Sequence, residues 1–268
     1  MLPFSDSLLL VLAGFSGGVI AGLLGVGGGI IMIPICNFIY PKIGVHPSIL
    51  SHVIFGTNFF VICFSATVSA LRYHLKKLVL WKGVFPIAFF SILGALSGAT
   101  FAARISSPDL LRLFGIVMLF SSVRMFIEFK KDDIAKPRFN YLYLGLTGYF
   151  TAILSSMVGV GGGILTIPIM IYLLHFPVRK VTGTSSGIII FTAIASVSGY
   201  IINGWNNPYL PEGSFGFVYL PAGIPLLIGA LIGVPLGTRI NLSISTKYIK
   251  RIFGVVLFLL FIKMTFLQ

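Results

Sequence analysis

Carboxylates are scarce in this chain. Six occur in 268 residues: Asp6, Asp109, Glu128, Asp132, Asp133 and Glu212. All fall near the ends of apolar segments or in polar stretches, and none stands near the middle of an apolar run. That distribution argues against a proton relay built on buried Asp or Glu. Cysteine occurs twice, and Cys36 and Cys63 lie in or beside apolar runs, so they fit inert thiols better than a disulfide framework. There is no metal-ligand cluster, no nucleophile–base set and no phosphate loop ending in Lys-Ser/Thr. The expectation is therefore a protein that is not an enzyme and needs no metal or cofactor. Charged residues make up only 9% of the chain, whereas a soluble domain carries about 25%.

What is present is apolar. Hydrophobic residues account for 57% of the chain and the mean hydropathy is +1.03. The apolar runs are long and unbroken, unlike the short alternating segments of a membrane β-barrel. The expected class is an all-α integral membrane protein, multi-pass and resident in the cell membrane. The net charge of +13 would ordinarily suggest nucleic acid. Here the basic residues cluster at segment ends, where they anchor helices and set orientation, so the expected partner is the lipid bilayer and not nucleic acid. The N-terminus, MLPFSDSLLLVLAGF, lacks a basic leader region and a small-residue cleavage site, and reads as the start of the first membrane segment.

Eight apolar segments are expected, at about 7–39, 48–71, 83–103, 110–128, 140–175, 181–203, 216–238 and 248–267. Most approach the ~20 residues a span requires. The first and fifth are too long for one straight crossing. Each contains the same phrase, GVGGGIIMIPI at 25–35 and GVGGGILTIPI at 159–169. Glycine costs roughly 1 kcal/mol relative to Ala inside a helix. Three in a row, in two copies, predict that both segments are broken or re-entrant at GVGGG. The halves match further: VIFGTNF at 53–59 with KVTGTSS at 180–186, ILGALSG at 92–98 with LIGALIG at 227–233, and LRLFGIVML at 111–119 with KRIFGVVLF at 250–258. Arg104 falls opposite Arg239, and Arg124 opposite Lys263.

The expected organisation is thus two tandem four-segment repeats, 1–129 and 140–268, joined by a polar linker at 130–139. Four crossings per repeat would insert both halves with the same orientation, although a finer inverted symmetry stays open. Basic residues nearly tie between the two sides. Their density in the 72–82 loop and the linker favours those as cytoplasmic, with both termini inside. Re-entrant first and fifth segments would void that count.

A broken helix frees backbone amides that lipid cannot satisfy. Gly27, Gly28 and Gly29, with Gly161, Gly162 and Gly163, are accordingly candidate anion ligands at the positive ends of half-helices. The alternative is that these glycines only permit tight helix packing. Thr57, Asn58, Thr184 and Ser185 supply small donors suited to oxyanion oxygens, or else serve as helix glue. His52 is a candidate proton carrier, though a histidine wetted at a helix end is the plainer reading. Arg104 and Arg239 are candidates for recruiting anions, against the default of snorkelling anchors. Trp81, Trp205, Tyr141 and Tyr143 read as interface aromatics.

The paired GVGGG phrases with Pro34 and Pro168 at equal distance, the GTN and GTS motifs after them and the duplicated plan resemble the TauE/SafE family. This is a family of sulfite and organosulfur-anion exporters, also called the four-toluene sulfonate uptake permease family, whose members differ in substrate and even in direction. The resemblance covers nearly the whole chain. It implies transport of small sulfur-containing or carboxylate anions such as sulfite, sulfoacetate or taurine-derived compounds. The chain departs in its longer 40–51 connector and in having Asn58 where the second half has Ser185. The expected function is a secondary carrier of small anions, working by alternating access in the direction of export. An anion channel with a backbone-lined filter and a non-transporting membrane scaffold are the other classes the sequence allows, and a homo-oligomer is left open.

Overall fold

The computed structural model describes residues 3–126, 137 and 139–243. The expected segment at 248–267 lies outside the described residues, as do most of the 130–139 linker and the second partners of the 111–119 and Arg124 matches. The described residues form helices α1 (Phe4–Leu24), α2 (Gly29–Ile39), α3 (Leu50–Leu75), α4 (Trp81–Ala102), α5 (Ser107–Phe126), α6 (Tyr141–Val158), α7 (Gly163–Tyr172), α8 (Val178–Gly204) and α9 (Leu220–Ser243). A two-stranded antiparallel ribbon, Ser214–Phe215 with Val218–Tyr219, precedes α9. Six of these helices, α1, α3, α4, α6, α8 and α9, are long and apolar enough to cross a membrane; α2 and α7 are shorter apolar helices.

The two over-long segments each become a long helix, a glycine turn and a short helix. α2 does not continue α1. A Cβ added to Gly17 would lie 2.6 Å from Met32 Cε and 2.9 Å from the Gly28 carbonyl oxygen, so the short helix folds back beside the long one. Residues beyond α2 also return to the start of α1: Pro3, Asp6, Ser7, Lys42 and Ile43 line one cleft.

Helix directions follow from the contacts. In α1, Gly14, Gly18 and Gly22 abut the carbonyl oxygens of Leu226, Ala230 and Val234 in turn. In α9, Gly229, Gly233 and Gly237 abut those of Val11, Phe15 and Val19. A Cβ at any of the six would stand 2.0–2.4 Å from an oxygen. Only glycine lets the two backbones approach so closely, and they run parallel. Gly94 and Gly98 of α4 meet the Tyr149 and Ile153 oxygens of α6 in the same parallel sense. This contact accounts for the matched ILGALSG and LIGALIG: each is the small-residue face on which a hairpin-bearing helix lies. Tyr73 near the end of α3 donates to the Gly22 oxygen near the end of α1, while Thr57 near its start accepts from Tyr219 at the start of α9. Helices α1, α3 and α9 therefore run one way. α4, joined to α3 by a short loop, runs the other way and carries α6 with it.

This geometry corrects the expectation that both halves share one orientation. Neither α2 nor α7 completes a crossing, so the parity changes, and the α1–α2 and α6–α7 hairpins enter the bundle from opposite ends. It also separates the start of α1 from the 72–82 loop, which the sequence reading had placed on one side. Among the described residues the basic side chains then divide unevenly. The end holding the 72–82 loop carries Arg72, Lys76, Lys77, Lys82, Arg179, Lys180 and Arg239, with no carboxylate among the described residues. The end where α1 begins carries Lys42, Arg104 and Arg112 with Asp6, Asp109 and Glu212. An excess of cations marks the cytoplasmic side.

In a background with Cys36 and Cys63 replaced, a membrane-impermeant maleimide should label Glu212→Cys in intact cells and Lys77→Cys only after permeabilisation. The opposite pattern would reverse the assignment.

Candidate functional site at the two glycine turns

Each turn is built from left-handed glycines. Gly25 (φ 68°) ends α1, Gly27 (φ 94°) and Gly28 (φ 75°) follow, and Gly28 caps α2. In the second half Gly159 (φ 74°), Gly161 (φ 81°) and Gly162 (φ 91°) do the same between α6 and α7. A side chain in this region is strained by roughly 1–2 kcal/mol, which explains why the phrase is glycine at these positions.

The two turns touch. A Cβ on Gly163 would lie 2.3 Å from the Gly25 oxygen, and one on Gly29 would lie 2.7 Å from the Gly159 oxygen. Gly27 and Gly161 face each other, with Ile62 of α3 packed against both. Two hairpins from opposite ends thus meet tip to tip.

The GTN and GTS residues surround this meeting point, all of them buried. Asn58 Nδ2 donates to the Gly159 oxygen, and Ser185 Oγ donates to the Gly25 oxygen at 2.8 Å. Each half therefore supplies the side chain that takes up the carbonyl freed at the other half's turn. The threonines act on the helices behind. Thr57 Oγ1 accepts from the Tyr219 amide at 2.9 Å, just before α9, and Thr184 Oγ1 accepts from the Leu80 amide at 3.0 Å, just before α4. Thr184 also donates to the Lys180 oxygen. These side chains, expected to face a ligand, are thus engaged with backbone, and the acceptor Asn58 Oδ1 is buried without a partner.

The amides are the free groups. Among the described residues, no acceptor meets the N–H of Gly27, Gly28, Gly29 or Ile30, nor that of Gly161, Gly162, Gly163 or Ile164. These N–H groups stand at the starts of α2 and α7, where the helix dipole adds partial positive charge.

His52 is not wetted at a helix end, which corrects the plainer reading of that residue. It is buried, its Nε2 donates to the Ala102 oxygen at 3.0 Å, and its Nδ1 lies 3.3 Å from Ser107 Oγ. Ser107 Oγ in turn meets the Ser48 oxygen. This chain of bonds ties the start of α3 to the α4–α5 corner. Arg104 and Arg239 are exposed near opposite ends of the bundle; the neighbours of Arg239 in α9 meet the end of α1, with Thr238 beside Gly22 and Asn241 donating to the Leu23 oxygen. A cleft of about 670 Å³ opens at the end where α1 begins, lined by Asp6, Lys42 and Glu212 among others, with Tyr219 at its wall. Tyr219 packs edge-on against the buried ring of Tyr40 and so connects the cleft to Thr57.

The sequence reading passed over the buried hydroxyls of Thr151, Ser155 and Thr166, which line the second turn alone. Position-by-position comparison of the two hairpins would have shown them, because the first half has Gly17, Ala21 and Met32 there.

Six candidate spans and two glycine-tipped hairpins mark a multi-pass helical membrane protein. The model of the sulfite exporter TauE/SafE family matches residues 10–264. The chain belongs to that family. A Haemophilus influenzae protein named "Probable membrane transporter protein" is 26% identical over 97% of this chain and 98% of its own length. A probable membrane transporter protein of Methanocaldococcus jannaschii is 30% identical over 90% and 89%. The probable membrane transporter protein YunE of Bacillus subtilis is 28% identical over 94% of each. No solved structure matches this chain. Family membership places the protein in the cell membrane and implies a small anionic substrate.

Gly163→Ala should destabilise the purified protein by about 1–3 kcal/mol, the range for overpacking a tight site, read as a lowered Tm in detergent. Gly44→Ala, with no atom within 4 Å of the new Cβ, should show only the backbone strain of its positive φ.

Proposed function

We propose that the protein is a secondary carrier for small sulfur-containing anions such as sulfite or sulfoacetate, working by alternating access in the direction of export. The observation that carries this reading is the pair of unpaired amide clusters where two hairpins from opposite ends meet. Discontinuous helices of this kind present N-termini to anionic groups in transporters. Such a site binds an anion without a buried fixed cation, which lipid penalises.

In this reading 1–129 and 140–268 are two inverted halves joined by the 130–139 linker. Gly27, Gly28 and Gly29 with Gly161, Gly162 and Gly163 supply backbone donors. Asn58 and Ser185 hold the two turns tip to tip with those donors forward, and Thr57 and Thr184 seat α9 and α4 behind them. Arg104 and Arg239, one near each end, draw anions from both aqueous phases. His52 acts as a clamp on α3, since both its ring nitrogens are engaged. Rocking of one half against the other breaks the tip contact and opens the amides to one end at a time.

The energetics suit export. An interior-negative potential drives an anion outward by ~2.3 kcal/mol per charge per 100 mV, so no coupling ion is required. Proteoliposomes loaded with labelled sulfite should show saturable efflux with counterflow, faster when the potential is negative inside. Flux indifferent to the sign of the potential would overturn uniport export. Unitary conductance in planar bilayers would make the protein a channel, and absence of flux would make it a scaffold.

A further inference from the structure

The two hairpins share a backbone course but not a lining. Gly17, Ala21, Gly28 and Met32 of the first correspond to Thr151, Ser155, Gly162 and Thr166 of the second, each 134 residues on. In the first half the space beside the turn is filled: Met32 is fully buried and lies against Gly17. In the second half the same space is lined by oxygen. Thr166 Oγ1 lies 3.2 Å from Thr151 Oγ1 and 3.0 Å from the Gly162 oxygen, and Thr151 Oγ1 donates to the Thr147 oxygen at 2.6 Å.

Unlike Thr151 and Thr166 beside it, but like Tyr40, Ser156 and Ser196 elsewhere among the described residues, Ser155 carries an unsatisfied buried hydroxyl. It is 1% exposed, and its Oγ has no hydrogen-bond partner. Buried polar atoms are nearly always paired, so one that is not calls for an account. Its position supplies one. Gly162 is the residue that caps α7, and a Cβ placed there would lie 3.3 Å from Ser155 Oγ and 3.8 Å from Thr166 Oγ1. The unused hydroxyl thus points at the start of α7, where the amides of Gly163 and Ile164 are also unused.

We propose that the anion is held by one half only, at the start of α7, where its oxygens take the N–H groups of Gly163 and Ile164 and the hydroxyl of Ser155, while Thr166 positions the turn by donating to the Gly162 oxygen. The first turn is then a structural counterpart, closed by Met32, that completes the tip contact without binding. The ligand class is an oxyanion with several equivalent oxygens on one centre, sulfite or a sulfonate group, because three convergent donors match several acceptor oxygens better than one. This inference rests on the carrier reading above.

The test is titration of the purified full chain in detergent with sulfite and with methanesulfonate. Ser155→Ala removes one oxygen and leaves Cβ in place, and Thr166→Val keeps the side-chain shape. Both should weaken binding of the preferred anion about tenfold, a loss of ~1.4 kcal/mol. Met32→Leu should stay within about twofold on the same scale, and Thr166→Ser should restore binding to the wild-type level. Binding is read on the monodisperse fraction of each variant. Wild-type affinity in either Ser155→Ala or Thr166→Val, or an equal loss in Met32→Leu, overturns the one-sided site while leaving the carrier reading intact. A wild-type protein that binds neither anion overturns both.

Discussion

A carbonyl released by a helix break finds no water inside a bilayer, and the two carbonyls that end α1 and α6 are each taken up from across the molecule. Ser185 donates to Gly25, and Asn58 donates to Gly159. The reciprocity couples the halves. Each hairpin is complete only when the other half's helix lies beside it, so α3 and α8 must pass through the centre, and these two are the most buried spans. The glycine seams of α1 on α9 and α4 on α6 then follow from the same swap, since each hairpin-bearing helix packs on a helix of the opposite half.

With the carbonyls satisfied, the amides are left over. A helix break exposes both kinds of group, but side chains here answer only the carbonyls of Gly25 and Gly159. The result is a pair of donor clusters in an apolar surrounding, at the one level where elements from both ends of the bundle meet. In the carrier reading proposed above, the touching tips of the inverted hairpins are the barrier: the contact that closes one path is the contact that must part to open the other. The asymmetry between Met32 and Thr166 bears on which half holds the cargo and which half completes the seal.

Much of this was legible in the chain. The surplus of apolar residues, the lack of mid-span carboxylates and the duplicated GVGGG phrase lead to a helical membrane protein with special turns, because composition and periodicity answer to the solvent. The GTN and GTS matches singled out residues that lie at and behind the glycine turns, where they bond backbone groups, the second of the two roles open to them. Small polar residues are equally suited to a ligand or to a freed carbonyl, and only the position of Gly159 beside Asn58 decides between them. His52 was misread: sequence places it near a helix start, and the packing of the α4–α5 corner and Phe217 buries it.

The amino-acid sequence by itself determined the class and the positions of the glycine turns, since these depend on local preference for lipid and on glycine's freedom at positive φ. The tertiary structure alone decided the direction of each half. Whether a short apolar helix crosses or turns back is not a property of its residues, for α2 and α7 are as apolar as any span. It is settled by what lies beside them, here Gly17 in the first half and the opposing glycine turn in both.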